Sequence, residues 1–294
     1  MPVLLEECLD ALDIKENGAY VDVTFGGGGH SNKILERLGD AGHLIGFDQD
    51  ADAAKNVPDD ERFHFAHSNY KHLKRFLRLF GFRQVDGILA DLGVSSHQLD
   101  VAERGFSLRF EADLDMRMNQ QADKTAIDII NDYSAEELQR VLGEYGEVRN
   151  AKTLAQRIVQ ERQRYTIKTS TQFLNILGPL IRGQRNRYLA QVFQALRIEV
   201  NDEINSIRTF LEEAVEVLPV GGKLVIISYH SLEDRVVKNF LKFGNFEGKP
   251  EKDFYGNILK PFKMLTRKPI LPTAEEIQLN PKSRSAKLRV AVRI

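Results

Sequence analysis

Short apolar runs bounded by turn residues recur at residues 19–24, 43–48, 63–68 and 87–92, and they predict buried strands. Residues 31–38 and 70–80 between them have helical character, giving the strand–helix–strand alternation of a parallel sheet. Beyond Asp91 the strand signal stops and helical periodicity takes over. Ser134-Ala135-Glu136-Glu137 has capping-box spacing, and helices are predicted over 150–164 and 170–181. A longer apolar stripe, Leu189, Val192, Phe193, Leu196 and Val200, lies within 188–218, enough for one helix or two. Strand character returns at 223–229, a helix capped at Ser231-Leu232-Glu233-Asp234 follows to about 243, and strict alternation over 286–294 predicts a last strand with one solvated face. The fold class is therefore α/β, a Rossmann-like sheet with an all-helical insertion. Residues 1–107 and 206–294 form the two parts of the core, and 108–205 the inserted domain.

Composition is that of an ordinary globular chain of 294 residues, so disorder and a disulfide scaffold are excluded. The single cysteine, Cys8, cannot form an internal disulfide and fits a reducing compartment. No stretch approaches the length of a membrane span, and the acids Glu6 and Glu7 stand where a signal peptide needs basic residues; a cytoplasmic protein without membrane contact is expected. The net charge of -1 hides a segregation. Residues 1–139 carry 14 Lys and Arg against 26 acids, whereas 140–187 carry 10 against 3 and 242–294 carry 12 against 5. Basic blocks of this size suit a polyanion, although a solvated helix face would also produce them.

Candidate chemistry lies mainly after the first, second and fourth strands. Asp22-Val23-Thr24-Phe25-Gly26-Gly27-Gly28-Gly29-His30 leads from a strand into a helix, where missing Cβ atoms and unpaired N–H groups let a ligand approach the backbone. Asp48, about 20 residues on, closes the second strand, where an acid can bind ribose hydroxyls. The dinucleotide fingerprint is not clean, since Ser31 stands after the glycines. A sulfonium-bearing nucleoside, S-adenosylmethionine, suits walls made by Asp22, Asp48 and Asp91 better than a pyrophosphate does. A dinucleotide-dependent oxidoreductase remains the alternative. Asp91-Leu92-Gly93-Val94-Ser95-Ser96-His97-Gln98 leaves the fourth strand where open α/β sheets bind ligands.

Several blocks, in order along nearly the whole chain, resemble one family. They include Pro2-Val3-Leu4-Leu5-Glu6-Glu7, the glycine loop, Asp86 to Ser96, Arg104-Gly105-Phe106-Ser107, Leu114-Asp115-Met116-Arg117-Met118, Phe193 to Asn201, Ile227 to Arg235 and Asn280 to Arg289. This pattern is similar to that of the bacterial 16S ribosomal RNA cytosine-N4 methyltransferases. The resemblance implies a class I S-adenosylmethionine-dependent methyltransferase that acts on the exocyclic N4 of a decoding-centre cytosine, with 16S rRNA of the small ribosomal subunit as partner. It implies cofactor contacts at Gly28, Gly29, His30, Asp48, Tyr70, Asp91 and Gln98. Three places depart from the family pattern: Arg187-Tyr188-Leu189-Ala190-Gln191, Asp113 and His97.

For such a reaction the expected catalytic groups are Asp91, Ser95 and Ser96, which would hold the weakly nucleophilic amine, and His230, which could take its proton or stack on the base. Arg185, Arg187, Lys282, Arg284 and Lys287 are the candidate RNA contacts. Arg104, Arg197 and Arg235 could hold phosphates or carboxylates, and Asp115 and Glu199 are candidate structural partners for arginines. His64 and His67 lie two apart in a strand and face opposite ways, so no metal site is read. A non-catalytic, S-adenosylmethionine-binding RNA-binding protein is a further alternative. The oligomeric state stays open, a homodimer included.

Overall fold

The computed structural model describes residues 2–108 and 111–294. The chain begins with α1 (Leu5–Leu12), β1 (Ala19–Asp22), α2 (Gly29–Arg37), β2 (His43–Asp48), β3 (Phe63–His67), α3 (Leu73–Leu79) and β4 (Gly87–Asp91). Helices follow: α4 (Ser96–Asp100), α5 (Ala126–Asp132), α6 (Ala135–Glu144), α7 (Ala151–Arg162), α8 (Ser170–Leu177), α9 (Arg185–Asn201) and α10 (Glu203–Val217). The last part holds β5 (Lys223–Ser228), α11 (Ser231–Phe243), β6 (Phe262–Met264), α12 (Ala274–Leu279) and β7 (Lys287–Arg293). Two compact units result, one from residues 1–93 and 204–294, the other from 94–203. The division falls at 93/94 and 203/204, whereas the apolar pattern suggests 107/108 and 205/206.

In the first unit seven strands pair in the order β3-β2-β1-β4-β5-β7-β6. The first five are parallel, and β7 runs antiparallel between β5 and β6. This is the Rossmann-like class I arrangement. Strands β1, β2, β4 and β5 are buried almost end to end, as sheets covered on both faces require. Chain order reverses at β1, which pairs with β2 on one side and β4 on the other, so a crevice is expected beyond their carboxyl ends. Each of β1, β2 and β4 ends on an aspartate: Asp22, Asp48 and Asp91.

Some elements differ from the sequence pattern. Helix α1, not anticipated, buries Cys8, Leu9 and Leu12 against the sheet core. The 188–218 stripe is two helices because Asp202 adopts a left-handed φ of 49°. Helix α11 is capped by His230, one residue before the serine expected in that role. Short strand β6 had no periodicity to announce it.

The second unit buries an apolar core from α5 to α9, including Ile129, Leu142, Leu154, Phe173 and Leu196. Thr125, Ser134 and Thr169 cap their helices through reciprocal boxes. Loops are tied by arginines. Arg117 pairs bidentately with Asp115 at 2.8 and 2.7 Å, and Arg104 donates to the carbonyls of Arg117 and Met118. Arg197 clasps Glu203, and Glu199 accepts from Tyr133 and Arg140. Gly105 sits at φ +71°, where an added Cβ would press on the Asp113 carbonyl and come within 2.8 Å of the Asp115 nitrogen. Gly105→Ala is therefore expected to cost about 1–2 kcal/mol from backbone strain alone, with more from displacing the 113–115 backbone. Thermal unfolding checks this; an unchanged midpoint would contradict the close approach.

Candidate active site

The glycine loop is built for turning as much as for binding. Gly26 and Gly28 are left-handed at φ +52° and +74°, and Gly28 stands at the amino end of α2 without a side-chain cap. A Cβ on Gly27 would meet nothing within 4 Å, so open space lies beside the loop there. At Gly29 the missing Cβ is used by the protein itself, since a Cβ there would lie 2.7 Å from Pro2 Cγ. Gly29 can thus approach a ligand through its backbone only. The chain then continues past His30, whose Nε2 donates to the Val3 carbonyl at 3.0 Å.

Hydrogen bonds lock the aspartates at the strand ends. Asp22, 1% exposed, accepts from Thr24 N–H and Thr24 Oγ1 on one oxygen and from Ser31 Oγ at 2.7 Å on the other. Thr24 Oγ1 in turn accepts the Asp91 N–H at 2.7 Å, so one hydroxyl ties the β1 loop to the end of β4. Asp48 takes the Gly26 and Asp50 N–H groups, each at 2.8 Å. The segment after β3 is drawn to the same place. Ser68 N–H donates to the Asp48 carbonyl, and Asn69 Nδ2 to Gln49 Oε1. Tyr70 follows, its ring edge-on to Phe210 at 5.5 Å.

Asp91 Oδ1 accepts from the Tyr229 hydroxyl at 2.7 Å, and its Oδ2 lies 4.0 Å from His30 Nδ1. Burial pushes Asp91 up to about 6, opposed by His30 and the Tyr229 hydrogen bond. Burial likewise raises Asp48 to about 6 against the N–H groups it accepts. The Tyr229 phenol is driven far up by burial and then by Asp91, so it stays a proton donor; the Cys8 thiol moves the same way for the same causes. Tyr229 was not singled out from sequence. The signal available was register, because Asp91 pairs with Ile227 and Tyr229 lies just past the end of β5.

The other expected residues are distributed differently. His230 is turned into its own helix, with Nδ1 accepting from Glu233 N–H and Nε2 2.7 Å from the fully buried Glu233 Oε1. His230 thus fills the helix-entry place at the start of α11. Ser95, Ser96 and Gln98 belong to the second unit. There Ser95 Oγ accepts from the Gln98 N–H and Gln98 Oε1 from the Ser95 N–H, a capping box at the start of α4. Arg185 and Arg187 are exposed in the first turn of α9. Lys282 and Arg284 are exposed, while Lys287 lies 3.6 Å from Asp234, which Arg289 also clasps.

Chemically, the first unit offers three carboxylates against one nearby histidine, two of them strained toward protonation by burial. Such a cradle favours a cationic ligand and repels a pyrophosphate, which fits a sulfonium nucleoside and not a dinucleotide.

A model of the MraW methylase family matches residues 1–294. The chain is 55% identical over 296 residues to the ribosomal RNA small subunit methyltransferase H of Parabacteroides distasonis, covering 100% of this chain and 97% of the relative. It is 54% identical over 294 residues to the protein of the same name in Flavobacterium johnsoniae, at 100% and 97% coverage. Among solved structures it is similar to an rRNA methylase from Streptococcus thermophilus, at a TM-score of 0.45 and 10% identity, covering 100% of this chain and 98% of that one. No described helix is long and apolar enough to cross a membrane.

The raised carboxyls give a pH signature. A group raised in the folded state contributes its stability in full below its unfolded value and loses it as pH rises through about 6. Asp48→Asn removes one such titration. Relative to the parent, the ligand-free variant should gain stability between roughly pH 4 and 7, by about 3 kcal/mol at most. Unfolding midpoints across that range test it, and a constant offset would exclude the buried titration.

Proposed function

The chain belongs to the MraW methylase family, and from that premise we propose that it methylates the exocyclic N4 of a decoding-centre cytosine in 16S rRNA. S-adenosylmethionine is the methyl donor, supplying when bound an electrophilic methyl on a positively charged sulfur. The observation that carries the reading is Asp91, whose two oxygens have different surroundings: Oδ1 is held by Tyr229, while Oδ2 looks toward His30 across a gap longer than a hydrogen bond.

The residues divide the work as follows. Asp22 and Asp91 favour positive charge at the switch point, the glycine loop offers backbone N–H groups, and Asp48 retains lone pairs for ribose hydroxyls. Cytosine N4 is a poor nucleophile because its lone pair is conjugated with the ring. Asp91 Oδ2 accepts one amine hydrogen, which localises that lone pair on nitrogen. On methylation the amine's surplus proton would pass to Asp91 Oδ2. A carboxylate at about 6 is ionised at neutral pH and still basic enough to receive it. Tyr229 keeps Oδ1 occupied, so the receiving oxygen is defined. Holding the base is extended to Ser95 and Ser96 on chain continuity alone, since they follow Asp91 by four and five residues.

Charge supports an RNA acceptor. Arg182, Arg185 and Arg187 gather at the amino end of α9, where the helix dipole disfavours cations, and none of them is in an ion pair among the described residues. Anions at that end would relieve the conflict. We extend the same role to Lys282 and Arg284, and to Lys287 with its charge partly answered by Asp234.

Mass mapping of 16S RNA from cells lacking the protein tests the reading directly. A missing methyl at a cytosine N4 in the decoding region, restored by the gene, is expected; a missing methyl elsewhere overturns the assignment. In vitro, kcat/KM should fall below about pH 6 as Asp91 is protonated, and Asp91→Asn should lose 100-fold or more on the order expected for a general base, together with that acid limb. Arg185→Ala with Arg187→Ala should weaken RNA binding and flatten its dependence on log salt by about 1–2 units. An unchanged slope would remove these arginines from the interface.

A further inference from the structure

Beyond α11 the chain forms a small closed turn that the methyl-transfer chemistry does not use. Lys252 bridges to Ile258, Leu259 N–H returns to the Glu251 carbonyl, and Asp253 N–H donates to the Asn257 carbonyl. Asp253 Oδ1 accepts from the N–H groups of Tyr255 and Asn257, and Gly256 completes the turn at φ +86°. On this rigid tip stand Phe254, 97% exposed, and Tyr255, 86% exposed, with rings edge to face at 5.6 Å. Two neighbouring aromatics so fully in water, on a turn stapled by its own backbone, are an ordered apolar display and not a frayed core.

Their surroundings are basic on balance, with five cations against Glu251 and Asp253 over residues 249–267. Lys249, Lys252, Lys260, Lys263 and Arg267 lie within the same stretch, and none of them is in an ion pair among the described residues. Elsewhere in the molecule many cations are matched, as in Arg62–Asp60, Arg117–Asp115, Arg197–Glu203 and Arg289–Asp234. Aromatic faces beside unneutralised lysines fit unpaired nucleobases and their phosphates.

We propose that the Phe254–Tyr255 turn is a stacking finger for a single-stranded segment of RNA, separate from the segment that carries the target base. Separation follows from topology. The turn leads into β6 at Phe262, which pairs with Arg293 beside the start of β5, so it departs from the amino edge of the sheet, opposite Asp91. The 13 residues of α11 alone span roughly 20 Å between those edges. RNA as the partner class rests on the function proposed above.

The test measures binding of the full chain to poly(U) and to protein-free 16S RNA at two salt concentrations. Phe254→Ala with Tyr255→Ala should weaken binding to both roughly 5- to 100-fold while leaving the unfolding midpoint in place. Trp at both positions should restore affinity, and Leu at both should not, because stacking needs a π-face. Unchanged RNA affinity of the alanine pair overturns the finger, and if self-association is lost instead, the turn is a contact between copies of this chain. The two readings fail separately. A parent that binds poly(U) through the turn but methylates no RNA sinks only the function; a parent that methylates and binds RNA regardless of the turn sinks only the finger.

Discussion

Burial of carboxylates at neighbouring strand ends is the constraint around which this edge of the first unit is organised. Asp22, Asp48 and Asp91 are brought together by the parallel register of β1, β2 and β4, and burial makes the charges of Asp48 and Asp91 costly. Almost every polar group nearby answers that cost. Ser31 and Thr24 serve Asp22, the Gly26 and Asp50 N–H groups serve Asp48, and Tyr229 serves Asp91. Even the N-terminal segment takes part, since Val3 fixes the His30 ring and Pro2 fills the space that Gly29 vacates.

The compensation is incomplete in a useful direction. Backbone N–H groups and hydroxyls neutralise a carboxylate only in part, so the edge keeps a negative field and two acids perched near neutrality. A ligand that brings positive charge relieves the strain, and a reaction that releases a proton finds a base ready for it. On the proposed reading, binding and proton acceptance are two uses of one desolvated charge, that of Asp91. The His230 ring caps α11 through Nδ1, which accepts the Glu233 N–H.

Much of this edge was legible in the sequence because it is local. A strand that closes on Asp22, glycines that admit left-handed backbone, and a second strand that closes on Asp48 are adjacent in the chain, and periodicity alone sets their ends. Asp91 needed only the end of the fourth strand. What escaped depended on contacts distant in sequence. Tyr229 meets Asp91 across 138 positions, through the pairing of β4 with β5. Pro2 meets Gly29 through the placement of α1, whose apolar stripe of Leu5, Cys8, Leu9 and Leu12 lasts only eight residues. The break at Asp202 had no glycine or proline to mark it, since an aspartate can adopt left-handed backbone. Strand β6, three residues long, exists because β7 offers it an edge.

For an RNA acceptor the acidic edge carries a further consequence. A field that welcomes a cationic donor repels phosphates, so the polyanion cannot be held where the chemistry occurs. On the proposed reading its grip comes from other parts of the chain, and cations outside any ion pair among the described residues stand at the amino end of α9 and, in the first unit, around the Phe254–Tyr255 turn. On the proposed reading, what the RNA offers the donor is a single uncharged base, extended from its stack. The segregation of acids from bases along the sequence is then, on that reading, one arrangement seen twice, as a site that excludes the backbone and as surfaces that retain it.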